Sequence, residues 1–305
     1  MIPQISVIIP TMNRHHILAA TLDSLICATE ALSAEIIVVN DSKTESVTVS
    51  YKQITVLNNP KQGAASARNF GFSRAQGQLI LFLDDDMLVS ETVLKSLIRW
   101  TLENERKIFL PNWRYPQSIS QSLRDETFGR FLLHNRYDSL KGWIGHDRAW
   151  EEEVMPHDGI ASYCLLLKRD DFLELGGYDE AFPFAGFEDY DLTKRLTRRG
   201  YQFFILTRLT IFHNETDRVE LSEFLERRRR NGATQKKAVG LGHSESRLHH
   251  GALKSIVFSL TYRMRKPLVY ICRKFPNARS LDSLYRAVAS LLTGAYIYAG
   301  YRETE

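Results

Sequence analysis

Leu79-Ile80-Leu81-Phe82-Leu83-Asp84-Asp85-Asp86 is the stretch on which the fold turns. Leu79–Leu83 is uniformly apolar and too short for a helix, so it predicts a buried strand. The three carboxylates that follow concentrate negative charge at a strand C-terminus, where open α/β sheets bind ligands. Carboxylates this close repel one another, and a hard divalent cation shared with substrate phosphates relieves that repulsion. The same residues also read as an acidic turn before a helix, with Ser90 as N-cap and Glu91 facing the positive end of the dipole. Spacing alone does not separate the two readings.

Outward from this stretch, strand and helix patterns alternate. Gln4–Ile9, Glu35–Val39 and Ile54–Leu57 read as strands before it, and Lys107–Leu110, Ile160–Lys168 and Tyr201–Leu206 as strands after it. Apolar residues at helical spacing mark Ile17–Ile26, Ala64–Ala75, Ser90–Glu103 and Asp189–Arg199. Strands separated by helical crossovers predict an α/β fold with a mostly parallel sheet flanked by helices. Residues 112–158 are polar, aromatic and weakly periodic, and read as loops and short helices walling a site.

After Val219 the texture changes. Val219–Val239 is a charged helix carrying Arg227-Arg228-Arg229-Arg230, residues 240–251 are hinge-like, and Leu253–Arg273 and Leu281–Tyr301 mix apolar with basic residues. Pro267 is expected to break or kink the first of these two segments. The expected division is a catalytic domain over 1–218 and a helical basic extension over 219–305.

The chain of 305 residues is 44% hydrophobic and 25% charged, which is ordinary for a globular protein and argues against long disorder. Its net charge of +4 is unevenly spread: residues 219–305 hold 16 Lys+Arg against 7 Asp+Glu (+9), leaving 24 against 29 (−5) before them. That asymmetry points to an anionic surface or ligand for the C-terminal third. No nucleic-acid-binding motif accompanies it. Three scattered cysteines, Cys27, Cys164 and Cys272, argue for a reducing compartment and against a disulfide scaffold. Neither a signal peptide nor a confident transmembrane helix is expected.

The motif-bearing segments lie at strand ends. There is no Gly-x-Gly-x-x-Gly after the first strand and no P-loop. Instead the first strand ends in Pro10-Thr11-Met12-Asn13-Arg14 and the second in Val39-Asn40-Asp41-Ser42, where a mononucleotide would sit. Asp41 suits acceptance from a base N–H, or formation of an Asx turn. Gly63-Ala64-Ala65-Ser66-Ala67-Arg68-Asn69-Phe70-Gly71 is small-residue rich; Arg68 suits a phosphate or the aspartates.

Taken in order, Pro10-Thr11-x-Asn13-Arg14, Asp41, Gly63…Ala67-Arg68-Asn69-x-Gly71, Asp84-Asp85-Asp86 and Gly186-Phe187-Glu188-Asp189-x-Asp191-Leu192 resemble family 2 glycosyltransferases with the GT-A fold, over roughly residues 4–215. The resemblance implies that Asp41 reads a uracil-type base, that Asp84 lies near the ribose, and that Pro10, Thr11, Asn13, Arg14, Gly63, Arg68, Asp85 and Glu188 belong to the nucleotide-sugar site. It implies that Asp86 holds Mn2+ or Mg2+ bridging the donor diphosphate, with His213 as a further metal ligand, and that Asp189 deprotonates the acceptor hydroxyl. The Arg227–Arg230 run reads as a clamp for the diphosphate, with Arg229 its expected member, or as a solvated helix face for two of the four, since four consecutive residues cannot all face one way.

The implied reaction is an inverting, single transfer from a nucleoside diphosphate sugar, UDP-linked first and dTDP-linked next, to a glycan or lipid-linked hydroxyl. The Gln-x-x-Arg-Trp of processive synthases is absent. A non-catalytic nucleotide-sugar-binding scaffold and a sugar-phosphate nucleotidyltransferase are the alternatives, the second lacking a Gly-rich pyrophosphate loop. The C-terminal segments read equally as peripheral membrane helices or as a hairpin packed on the catalytic domain or a homodimer partner. The expected location is cytoplasmic, at the inner face of the cell membrane.

Overall fold

The computed structural model describes residues 3–140, 152–182, 184–216 and 219–303. Its strands are Ile5–Thr11 (β1), Ala34–Asn40 (β2), Ile54–Asn58 (β3), Leu79–Leu83 (β4), Met87–Leu88 (β5), Lys107–Arg114 (β6), Val154–His157 (β7), Cys164–Lys168 (β8) and Gln202–His213 (β9). Its α-helices are His15–Thr29 (α1), Ala64–Arg74 (α2), Glu91–Glu103 (α3), Gln117–Asp125 (α4), Thr127–His134 (α5), Arg169–Leu175 (α6), Phe187–Arg198 (α7), Leu221–Gly240 (α8), Ala252–Arg263 (α9), Arg265–Arg273 (α10) and Asp282–Arg302 (α11). The described residues fall into two compact units. Residues up to Arg114, 152–181 and 188–214 make the first; 115–140, the described residues between Ala181 and Glu188, and those from Glu215 onward make the second.

In the first unit a central sheet runs β3-β2-β1-β4-β8, parallel except for β8, which is antiparallel to β4. Every residue of β4 is buried, as its continuous apolar run requires for a strand covered on both faces. Ser6 is the polar exception inside β1; it is buried and satisfied by donating to Glu35 and accepting from the Gly77 N–H at 2.7 Å. A second sheet orders β5-β9-β6, with β7 also on β9. Its β6–β9 register jumps from Pro111–Leu206 to Asn112–Thr210, where Pro111 has no N–H to donate. Ser90 caps α3, accepting from the Val93 N–H at 3.4 Å.

Several elements differ from the sequence expectation. β9 runs to His213 rather than ending at Leu206, β6 runs to Arg114, and β5, β7 and α6 were not anticipated. A two-residue strand carries no periodicity to read. The β8 ladder starts at Cys164 rather than Ile160, because the Ile160 and Ser162 N–H groups donate to the side chains of Thr193 (3.0 Å) and Asp189 (3.0 Å). Within the stretch expected as site walls, 112–140 supplies α4 and α5, which fold with the C-terminal helices; residues 141–151 lie outside the described residues.

The second unit is helical. Phe131 of α5 meets Phe224 of α8 edge-on, with ring centroids 5.9 Å apart, and Arg130 grips Asp282 through two hydrogen bonds of 2.8 and 2.7 Å. α8 and α11 touch backbone to backbone: a Cβ at Gly232 would lie 2.0 Å from the Ile297 carbonyl oxygen, and one at Gly300 would lie 1.8 Å from that of Arg229. The break between α9 and α10 falls at Met264. Pro267 then sits in the first turn of α10, where its missing N–H costs no helical bond.

Candidate active site

The triple aspartate is divided three ways, and exposure of the side chains shows the division: Asp84 is 36% exposed, Asp85 8% and Asp86 3%. Asp85 turns back toward β1. It accepts from Thr11 Oγ1 at 2.6 Å and Arg14 Nη1 at 2.5 Å, while Thr21 of α1 donates to its carbonyl oxygen at 2.8 Å. Thr11 and Arg14 are thus brought to the acidic cluster as partners of Asp85. Asn13 turns the chain between β1 and α1 in the left-handed region, at φ 57°, and is exposed. Pro10 sits within β1, half-buried.

Asp86 faces His213. The β5–β9 ladder pairs Met87 with His213, and Asn214 donates to the Asp86 carbonyl oxygen at 2.7 Å, so backbone pairing presents the two side chains to each other. His213 Nε2 lies 3.2 Å from Asp86 Oδ2, and Arg14 Nη1 lies 2.9 Å from the same oxygen. Trp113 stands edge-on to the imidazole at 5.0 Å between centroids, fixing the ring plane. A carboxylate oxygen beside an imidazole nitrogen is a donor set that a divalent cation accepts. The residues present therefore fit a metal at this position.

Asp84 is tied to the other half of the site through Arg68. One arm of the guanidinium donates to Asp84 at 2.8 Å and another lies 3.2 Å from Glu188, which is itself buried. Burial works against this charge, but Asp84, Asp189 and Glu188 together hold Arg68 firmly protonated. Arg68 thus pairs with one of the three aspartates and with Glu188.

Asp189, in the first turn of α7, is gripped by Ser162 from two directions. The Ser162 N–H donates to Oδ2 at 3.0 Å and its hydroxyl donates to Oδ1. Tyr178 lies behind, its hydroxyl 2.6 Å from Ser162 Oγ; since the single Ser162 proton goes to Asp189, the phenol, kept protonated by burial, is the donor. The resulting direction is Tyr178 to Ser162 to Asp189. Burial raises the Asp189 carboxyl above its ordinary value, while Arg68 and Ser162 pull it down. Ser162 and Tyr178 were not among the candidates: Ser162 reads as one small residue in a strand-like run, and Tyr178 as part of a Gly-Gly-Tyr-Asp turn.

At the far edge of the sheet, Asp41 receives the Gly63 N–H at 3.1 and 3.0 Å on its two oxygens, and Asn59 at 2.6 Å. Gly63, at φ 121°, is the N-cap of α2, a conformation open to glycine. Arg229 lies in the second unit, held by Glu226 at 2.6 Å and Glu303 at 2.5 Å. Glu215, two residues beyond His213 in the chain, is buried and accepts from Tyr115 and Arg227 within that unit.

Known proteins resemble the chain in sequence and in fold. Residues 6–151 match the family model for glycosyl transferase family 2, and residues 152–218 match that for the N-terminal domain of galactosyltransferase. The UDP-Glc:alpha-D-GlcNAc-diphosphoundecaprenol beta-1,3-glucosyltransferase WfgD of Escherichia coli is 30% identical over 194 residues, covering 62% of this chain and 67% of its own length. The chain belongs to glycosyltransferase family 2. The O-antigen biosynthesis protein RfbC of Myxococcus xanthus is 24% identical over 223 residues; the match takes in 70% of this chain but spans only 17% of RfbC. Among solved structures, the mannosyltransferase PcManGT from Pyrobaculum calidifontis, in complex with GDP-Man and Mn2+, matches 99% of this chain and 88% of its own with a TM-score of 0.57 at 15% identity. At that identity the likeness speaks for the fold alone, which is GT-A.

Proposed function

We propose that the chain moves one sugar, with inversion, from a nucleoside diphosphate sugar to a hydroxyl of a glycan or lipid-linked acceptor. The observation that carries this reading is the Asp189 carboxylate, oriented by Ser162 and set beside Glu188, whose ion pair with Arg68 leads on to Asp84. A base must reach the acceptor hydroxyl directly or through one water, and a raised carboxyl pKa brings it closer to that task. The acceptor oxygen attacks the anomeric carbon, Asp189 takes its proton, and the bond to the diphosphate oxygen breaks on the opposite face.

The donor base is assigned to Asp41, with UDP-sugars ahead of dTDP-sugars since both present the same N3–H, and the ribose to Asp84. Asp86 and His213 would hold the cation. When bound, it offsets negative charge developing on the departing nucleoside diphosphate. An imidazole in the donor set favours Mn2+ over Mg2+, which takes oxygen ligands. Thr11, Arg14 and Asp85 position this side of the site, and Arg68 and Glu188 brace the other. WfgD is named for a diphosphoundecaprenol-linked acceptor, which supports a lipid-linked acceptor here, met at the cytoplasmic face of a membrane by the C-terminal helices.

The test is donor turnover with Mn2+ across UDP-, dTDP- and GDP-sugars, with NMR of the product's anomeric configuration. Inversion with a UDP- or dTDP-sugar is expected. Turnover confined to GDP-sugars would overturn the role given to Asp41, and retained configuration would overturn the mechanism.

A further inference from the structure

In the second unit, α9 turns its apolar face outward. Leu253, Ile256, Val257 and Leu260 recur at i, i+3, i+4 and i+7 and are 77%, 56%, 38% and 54% exposed; Met264, at 57%, continues the line past the helix end. Such spacing places them on one face. The opposite face carries the buried Phe258, which packs on Ala295 and Tyr298 of α11. α10 adds Tyr270 and Ile271, exposed by 64% and 54%. Single exposed apolar side chains are ordinary, whereas a continuous stripe marks an interaction surface.

The segment that carries this stripe is charged with one sign; from outside it, Glu220 lies 3.9 Å from Arg273. Residues 246–281 contain 8 Lys+Arg and no Asp or Glu. Lys254 and Arg263 border the α9 stripe, and Lys266, Arg273 and Lys274 continue the basic character along α10; all five are exposed. No described helix is long and apolar enough to cross a membrane. An exposed apolar stripe between basic borders instead suits a helix lying in the plane of an interface.

We infer that the outward face of α9 and α10 docks on an anionic lipid surface, with the aliphatic stripe at the acyl boundary and the lysines and arginines on the headgroups. A second copy of the chain is the competing occupant. A two-fold contact through this face would set a segment without carboxylates against itself, placing like charges together. Phospholipid anions supply the complementary charge, and a bilayer supplies the apolar depth. The inference rests on the lipid-linked acceptor reading for its purpose but not for its measurement, since vesicle binding needs no turnover.

The experiment is flotation of the full chain with vesicles of phosphatidylglycerol and phosphatidylethanolamine, and with vesicles of phosphatidylcholine alone. Binding to the anionic vesicles should exceed binding to the neutral ones by about tenfold or more and weaken as salt screens the headgroups. The Ile256→Glu/Leu260→Glu chain and the Lys266→Glu/Lys274→Glu chain should each lose at least about tenfold in binding while keeping their circular dichroism and melting temperature. These side chains are solvent-exposed, so folding does not depend on them. Asp189→Asn should float like the unaltered chain, which separates this surface from the glycosyl-transfer chemistry. Absence of binding to anionic vesicles, equal binding by the glutamate variants, or a dimer in light scattering that Leu260→Glu dissociates would overturn the proposal.

Discussion

Ser162 reaches the Asp189 carboxylate twice, through its backbone N–H at 3.0 Å and through its hydroxyl on the other oxygen. Two donors on one carboxylate leave it little rotational freedom and direct its remaining lone pairs. The proposed base is therefore set by the approach of the segment just ahead of β8 to α7, as well as by its own helix.

Replacing the base is the first test. Asp189→Asn keeps the shape and should lower turnover by about 100- to 10,000-fold with donor binding retained. It should also melt higher at neutral pH. A carboxyl whose folded-state pKa lies above its ordinary value of 3.8 opposes folding once ionised, so the unaltered chain gives up stability as pH rises through that window. The gap in melting temperature between the two chains should grow from acid pH upward and then level off. Melting curves across pH read the stability, and equilibrium binding of UDP reads the site. Unchanged turnover would remove Asp189 from the mechanism.

Ser162→Ala isolates the positioning. The hydroxyl holds the Asp189 pKa down, so its loss should move the acid limb of the pH–rate profile to higher pH and lower kcat with little change in the donor KM. A merely structural serine would lower stability without shifting that limb. Ser162→Thr, which keeps the hydroxyl, should restore the profile.

The Asp86–His213 pair is tested without catalysis. Adding Mn2+ with UDP should raise the melting temperature of the unaltered chain, since a ligand bound to the folded state alone stabilises it. Asp86→Asn should remove the metal-dependent part of the rise. His213→Ala should weaken apparent Mn2+ affinity by at least the roughly tenfold that follows loss of even an outer-shell partner. The same rise in His213→Ala would exclude the imidazole from the site.

Arg68→Met should destabilise the chain severely. The guanidinium is buried, between Asp84 and the equally buried Glu188, and removing it strands a carboxylate away from water. Breaking a buried pair from one side costs about 3–5 kcal/mol. Arg68→Met with Glu188→Gln removes the stranded charge and should recover part of the loss in urea unfolding, a coupling that independent sites would not show.

The legible parts of the chain were those where one physical effect acts alone. β1, β2 and β4 are short, largely apolar runs that suit a covered strand, and Ser90 is an N-cap whose side chain does what its position in sequence suggests. Asp86, His213 and Asp189 carry chemistry that few other residues could supply. The unread parts depend on what comes near from far along the chain. Asp85 has the composition of its neighbours, and only its contacts with Thr11 and Arg14 assign it to bracing. Ser162 reads as one small polar residue in a strand, because its partner lies 27 positions away. The end of β9 toward His213 was hidden because its ladder with β6 shifts register after Pro111 and its other partner, β5, is two residues long.

That short strand acts as a spacer of fixed phase. Side chains alternate across a strand, so adding or deleting one residue between Asp86 and Met87, or between Phe212 and His213, would swing the imidazole to the opposite side of its sheet. The identities of Met87 and Leu88 matter less than their number, because it is their backbones that carry the pairing. This stretch of chain should tolerate exchange of letters and resist change of length.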